Sequence, residues 1–159
     1  MRKNEYNYVY IDPDSAYTYL GSSVLINKFD IKDRTVLEKK EYEITVNRLF
    51  DLTFRPIEVQ SMSDIREIHH YLFEELYDWA GQYRKVNISK AGNAFMAMQA
   101  FDTGEQYINQ LITTYHMTAI SKEVIAHDLA VILDNLNHMH PFREGNGRTQ
   151  RESIRFLID

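Results

Sequence analysis

The chain is 159 residues long and 44% hydrophobic, enough for one domain around a buried core and too short for two of ordinary size. Its net charge of -5 argues against a nucleic-acid partner, because phosphate neutralisation demands a basic face, and the absence of cysteine excludes disulfides and thiolate-held metals. No uncharged apolar run reaches the ~20 residues that span a bilayer, and Met1-Arg2-Lys3 leads into polar residues instead of a signal-peptide core, so a soluble cytoplasmic chain without membrane contact is expected.

Residues 1–34 are rich in tyrosine and turn formers, with Asp12-Pro13-Asp14 a predicted turn, and they lack sustained helical periodicity. An irregular N-terminal segment packed on the core is expected. From Thr35 to Thr53, Leu37, Tyr42, Val46, Leu49 and Phe50 recur at helical spacing until Pro56 forbids continuation, which predicts an amphipathic helix on that apolar stripe. The charged run from Glu38 to Glu43 reads as its solvated face. Ser63-Asp64 offers an N-cap to a second helix carrying Ile65, Ile68, Leu72 and Leu76 on one face, with Ala80-Gly81 as its stop.

Val86 and Ile88 then alternate with polar residues, Ala91-Gly92-Asn93 supplies turn chemistry, and Phe95 to Met98 resumes an extended run, which predicts a short β-hairpin. Helical spacing returns through Tyr107, Ile108, Leu111 and Ile112, and again after Ser121 through Val124, Ile125, Leu129, Ile132, Leu133 and Leu136. The sum is a single, mainly α domain over residues 35–159, with no repeat or linker.

After the apolar helix that ends near Asn137, a loop punctuated by proline and glycine leads into a last predicted helix from Thr149 to Ile158. Gly145-Asn146-Gly147 stands where that helix begins. Backbone N–H groups can turn inward there without a Cβ in the way, and the helix dipole favours phosphate. Asn146 can cap the turn or donate its amide to a phosphate oxygen. Arg148 and Arg151, three apart, share one helix face and can reach successive phosphates of one ligand. Glu144 can hold a magnesium ion that bridges phosphates. His140, at the mouth of the loop, can take a proton from an attacking hydroxyl near neutral pH.

The stretch His140-x-Phe142-x-Glu144-Gly145-Asn146-Gly147-Arg148-x-x-Arg151 resembles the signature of the Fic family at every defined position. The resemblance extends over residues 35–158, since Tyr77-x-Trp79-Ala80-Gly81-x-x-Arg84-x-Val86-x-Ile88-Ser89-Lys90 is similar to the segment that leads into that family's flap hairpin. It implies a Fic-type helical fold with a β-hairpin flap. It also implies a protein adenylyltransferase: His140 deprotonates a Ser, Thr or Tyr hydroxyl on a target protein, which attacks the α-phosphate of ATP and expels pyrophosphate. By the same resemblance Glu144 holds Mg²⁺, Asn146 and the amides of Gly145 to Gly147 hold the α- and β-phosphates, and Arg148 and Arg151 hold the β- and γ-phosphates. Phe142 anchors the loop, Lys90 joins the nucleotide contacts, and the flap around Ile88 and Ser89 pairs with the target backbone.

Many Fic proteins are silenced by a glutamate in a Ser/Thr-x-x-x-Glu-Gly/Asn motif. The best match, Ser63 to Glu67, is followed by Ile68 and lies in a helix whose apolar residues read as core, so it is rejected. The chain resembles the class whose inhibitory glutamate comes from a separate small antitoxin protein. Because it stops at Asp159, where family members continue, a truncated C-terminal helix is expected, and an inhibitory helix in a missing part would explain the same observation. The family points to a bacterial toxin acting on topoisomerase subunits, with a secreted effector as the rival.

Other readings are weaker. The remaining histidines, His69 included, read as structural, and Arg84 reads as a structural ion-pair partner. A metal hydrolase built from His138, His140 and Glu144 leaves both arginines and the glycines unexplained. A non-catalytic nucleotide-binding module has no need of His140. A kinase-like Fic variant carries lysine where Gly147 stands, so Gly147 favours AMP transfer.

Overall fold

The computed structural model describes residues 8–11 and 16–159, so the turn expected at Asp12-Pro13-Asp14 lies outside the described residues. Five helices follow one another as α1 (Arg34–Leu52), α2 (Met62–Phe73), α3 (Phe101–Thr118), α4 (Lys122–Met139) and α5 (Asn146–Ile158), which confirms the mainly α class. Three short strands, β1 (Tyr8–Ile11), β2 (Asn87–Lys90) and β3 (Asn93–Ala94), form an antiparallel sheet in the order β1-β2-β3.

α2 is the central helix. Met62, Ile65, Ile68, Leu72 and Phe73 are all buried, and α1, α3 and α5 pack around it. Its N-cap is Ser61, two residues earlier than expected. The Ser61 hydroxyl accepts from the N–H of Ser63, and the Asp64 carboxylate accepts from the N–H of Ser61, which makes a capping box. The helix also stops at Phe73, well short of Ala80-Gly81, because the chain breaks into turns there while Leu76 and Tyr77 remain buried.

α1 differs from its expected face. Leu37, Thr45 and Leu52 point inward, whereas Tyr42, Val46 and Phe50 are exposed. The inward stripe carries polar groups because, as shown below, it holds an arginine of the site. α4 begins as expected, with the Ser121 hydroxyl accepting from the N–H of Val124.

The expected hairpin is β2 and β3. Its turn residues Ala91 and Gly92 both have positive φ (50° and 78°), the sign combination of a type I′ turn. The run beyond β3 does not remain a strand: it leads into a single 3-10 turn at Met98–Ala100. In the N-terminal segment Tyr17, Val24 and Leu25 are buried, and the N–H of Lys28 donates to the Leu76 carbonyl. The segment is not wholly irregular, however. β1 pairs with the flap, setting Tyr8 opposite Lys90 and Tyr10 opposite Ile88.

Candidate active site

The loop between α4 and α5 is shaped by two left-handed residues, His140 (φ 44°) at the end of α4 and Gly145 (φ 81°) at the N-cap of α5. Gly145 is obligatory on two counts. Its φ favours glycine, and a Cβ there would lie 2.3 Å from the Phe73 ring. Between them the loop folds on its own side chains. Asn146 is buried, accepting from the N–H of Phe142 at 2.9 Å and donating to the Phe142 carbonyl at 2.7 Å. That is the capping alternative: the side chain braces the loop, and the first backbone amides of α5 are the groups left to meet a ligand.

Phe142 is buried, as expected of an anchor, and stacks on His69 with centroids 3.9 Å apart. His69 accepts from the N–H of Gly81 at Nδ1 (2.8 Å), so its Nε2 carries the proton and donates to the Glu144 carbonyl (2.9 Å). Burial lowers its pKa to about 3, which keeps the ring neutral. Structural is therefore the correct reading of His69, but what it supports is the site loop itself, a role with no signal in the sequence.

Arg84 is the second support. Only 2% exposed, it donates to the carbonyls of His140 (2.7 Å), Val86 (2.7 Å), Met96 (2.6 Å) and Met139 (3.1 Å). The expectation of an ion pair is corrected: among the described residues its hydrogen bonds go to backbone carbonyls, which tie the site loop to the base of the flap, and its guanidinium lies over the Phe101 ring. Burial lowers its pKa to about 10, which still leaves it charged.

His140, Glu144, Gly145, Asn146, Gly147, Arg148 and Arg151 line one open pocket, so the predicted cluster is brought together. His140 lies beside Phe95 (centroids 3.9 Å) and Tyr8 (5.8 Å). Burial first, then the charge of Arg84, lower its pKa to about 4, with Lys90 adding in the same direction and the Asn137 backbone opposing them. The imidazole is thus neutral and able to accept a proton.

Arg148 is gripped from α1. It donates to Glu41 at 2.5 Å and reaches Thr45 at 3.4 Å, and Glu41 also accepts from the Tyr77 hydroxyl. Glu41, read from sequence as part of a solvated face, is therefore a site residue that the charge pattern concealed. Arg151 makes no ion pair among the described residues, and its guanidinium lies over Gly147, 3.1 Å from where a Cβ would stand. Glu67 is exposed on α2, in keeping with its rejection as an inhibitor.

Glu144 keeps 41% of its side chain open to the pocket, with protein around the rest. Burial, then the charge of Glu41, raises its pKa, while Arg148 opposes them. No cluster of three or more metal-binding side chains occurs among the described residues.

Three further residues line the pocket without having been foreseen: Tyr8, Tyr10 and Arg143. The buried Arg143 guanidinium lies 3.5 Å from the Tyr10 ring centroid, and burial raises the Tyr10 pKa to about 12. Lys90 is not in the lining. Its ammonium lies over the Tyr8 ring at 5.3 Å, on the flap. Ile88, in the flap strand β2, is buried, and Ser89 next to it sits half-buried opposite Val9.

Among known proteins, the chain is 33% identical over 157 residues to the protein adenylyltransferase VbhT of Bartonella schoenbuchensis, covering 97% of this chain and 31% of VbhT. It is 29% identical over 136 residues to the "Probable protein adenylyltransferase Fic" of Escherichia coli strain K12, covering 85% of this chain and 68% of that protein. It thus spans under a third of the first relative and about two thirds of the second. The N-terminal Fic domain of a VirB-translocated Bep effector protein from Bartonella quintana, solved with bound ADP, superimposes with a TM-score of 0.78 at 27% identity, covering 89% of this chain and 74% of that one. The family model for Fic/DOC proteins matches residues 60–158, which takes in α2, the flap and the whole site loop, and the chain therefore belongs to the Fic/DOC family.

Proposed function

We propose that this domain is a protein adenylyltransferase that moves AMP from ATP to a Ser, Thr or Tyr hydroxyl of a target protein. The observation that carries this reading is a neutral imidazole, His140, in one pocket with the amide-bearing start of α5 and the two arginines of its first turns. The ligand class follows from the donors: a helix N-terminus and two guanidiniums suit a chain of phosphates. Relatives named adenylyltransferases and a similar Fic domain with ADP support the same choice.

In the reaction, His140 accepts the proton of the target hydroxyl as its oxygen bonds to the α-phosphorus. The bond from that phosphorus to the bridging oxygen breaks, and pyrophosphate leaves with the electron pair. The amides of α5, Arg148 and Arg151 balance the phosphate charge, and most of the catalysis is positioning. Glu144 fits Mg²⁺, which takes one or two carboxylates and completes its shell with phosphate oxygens. When bound, the ion neutralises phosphate charge. An extended target segment would pair with the flap at β2, near Ser89. Arg151, which makes no ion pair among the described residues, leaves room for an inhibitory carboxylate from a separate antitoxin. A bacterial cytoplasmic toxin acting on a topoisomerase subunit is the reading that the family resemblance favours, with a secreted effector, as in the Bep proteins, its alternative. Among the described residues no helix is long and apolar enough to cross a membrane.

The test is to incubate the protein and its His140→Ala variant with cell lysate and ATP labelled at the α- or the γ-phosphate. Transfer of α-label to protein, lost in the variant, is expected, and mass spectrometry of the labelled band names the target. Transfer of γ-label alone would establish the kinase-like alternative, and nucleotide binding without transfer of either label would leave a binding module.

A further inference from the structure

A target hydroxyl has to approach His140 past the flap, and that approach is occupied by the chain itself. β2 has no free edge opposite β1: it is the middle strand, paired on one side with β3 and on the other with β1. Strand alternation puts Tyr8 and Tyr10 on one face of β1, and both line the nucleotide pocket, whereas Val9 between them is 57% exposed. Tyr8 stands beside His140 and Phe95 in a cluster of three rings. Backbone pairing to the flap with a hydroxyl-bearing side chain at the base is what the proposed function requires of a target.

We propose that β1 is a resident surrogate for the target strand, holding the β2 edge and the space in front of His140, so that a target polypeptide is modified only after displacing it. The inference rests on the adenylyltransferase reading. Two features make β1 a plug rather than a substrate. Among the described residues the Tyr8 hydroxyl makes no hydrogen bond to His140, and its ring is held instead by ring contacts and the Lys90 ammonium. A strand of four residues is also weakly held, since so short a pairing is marginal by itself. The occupant that displaces it is therefore an extended segment that pairs antiparallel with β2 and carries its hydroxyl residue opposite Lys90, where Tyr8 now stands.

Val9→Pro tests this, because proline fixes φ at about -65°, away from the extended value of a paired strand, at an exposed position of β1 and without touching the core. Hydrogen exchange of the β2 amides reports whether the edge has opened, and ATP binding reports whether the domain remains folded. With the edge opened, the initial rate of α-label transfer to lysate proteins is expected to rise about tenfold, as when a competent state populated one time in ten becomes dominant. Unchanged transfer with the edge open would overturn the proposal and leave the adenylyltransferase reading intact. Equal, fast exchange at β2 in both proteins would overturn the pairing itself. AMP found on Tyr8 of the wild-type chain would make β1 a substrate and also overturn it. No transfer by either protein, with ATP still bound, would instead remove the adenylyltransferase reading on which the proposal stands.

Discussion

The Nε of Arg84 donates to the backbone carbonyl of His140 at 2.7 Å, so the residue that would act as the base is fixed by a buried guanidinium 56 positions earlier in the chain. The same guanidinium holds Val86 and Met96, at either end of the flap, and thereby ties the position of His140 to that of the flap.

Arg84→Met should leave four carbonyls without their donor. Unsatisfied buried acceptors cost about 1–3 kcal/mol each when they cannot reach water, so a loss of at least ~3 kcal/mol is expected in denaturant unfolding. Arg84→Lys, which keeps the charge but not the fork of donors, should fold and still lose about 100-fold in AMP transfer through misplacement of His140.

Glu41 and Glu43 lie in the same charged run but on different faces of α1. Glu41→Gln should weaken the grip on Arg148 and on the Tyr77 hydroxyl and destabilise the fold by about 1.5–3 kcal/mol. Glu43→Gln, at an exposed position, should stay within about 0.5 kcal/mol of wild type. Thermal unfolding of the two variants side by side decides whether the Glu41 contacts hold α1 to Arg148 and Tyr77.

Gly145→Ala sets a Cβ against the Phe73 ring at a positive φ and should destabilise the domain by about 1–3 kcal/mol while disturbing the start of α5. In Gly147→Ala the new Cβ meets only the flexible end of Arg151, so folding should be unaffected. ATP titration by calorimetry should show binding lost in the first variant and weakened in the second, where Arg151 is pushed aside.

His69 is neutral in the folded state down to about pH 3, whereas in the unfolded chain it protonates near its ordinary value of 6.5. Below pH 6.5 the unfolded state binds the extra proton, so the stability that His69 contributes is complete above that pH and drains away as pH falls towards 3. His140, lowered to about 4, acts in the same direction. His69→Gln can keep both hydrogen bonds without titrating, and its stability should fall less steeply with acid, by up to about 1.4 kcal/mol per pH unit between 6 and 4. Urea unfolding across that range measures the difference in slope.

Where the evidence for an element was local, the sequence was readable. The Ala91-Gly92 turn and the buried Ile108 and Ile112 of α3 and Leu129, Ile132 and Leu136 of α4 depend on neighbours within a few positions, and they stand where their spacing put them, although Tyr107, Val124 and Leu133 of the same runs are exposed. The inward face of α1 was misread because Glu41 and Thr45 owe their place to Arg148, about a hundred residues away, and an apolar count credits Tyr42 and Phe50 instead. β1 was missed for the same reason. Four residues carry too little pattern, and the partner strand lies some eighty positions on.

By itself the sequence determined which residues make up most of the candidate site. One short segment holds His140, Glu144, the glycine turn and both arginines, because a helix N-terminus gathers its donors from consecutive residues. Only the tertiary structure decided what surrounds that segment: His69 and Phe142 beneath the loop, Arg84 behind His140, Glu41 on Arg148, and β1 along the flap. Each of these depends on burial or pairing between distant parts of the chain, and such contacts leave no periodic trace in the sequence of either partner.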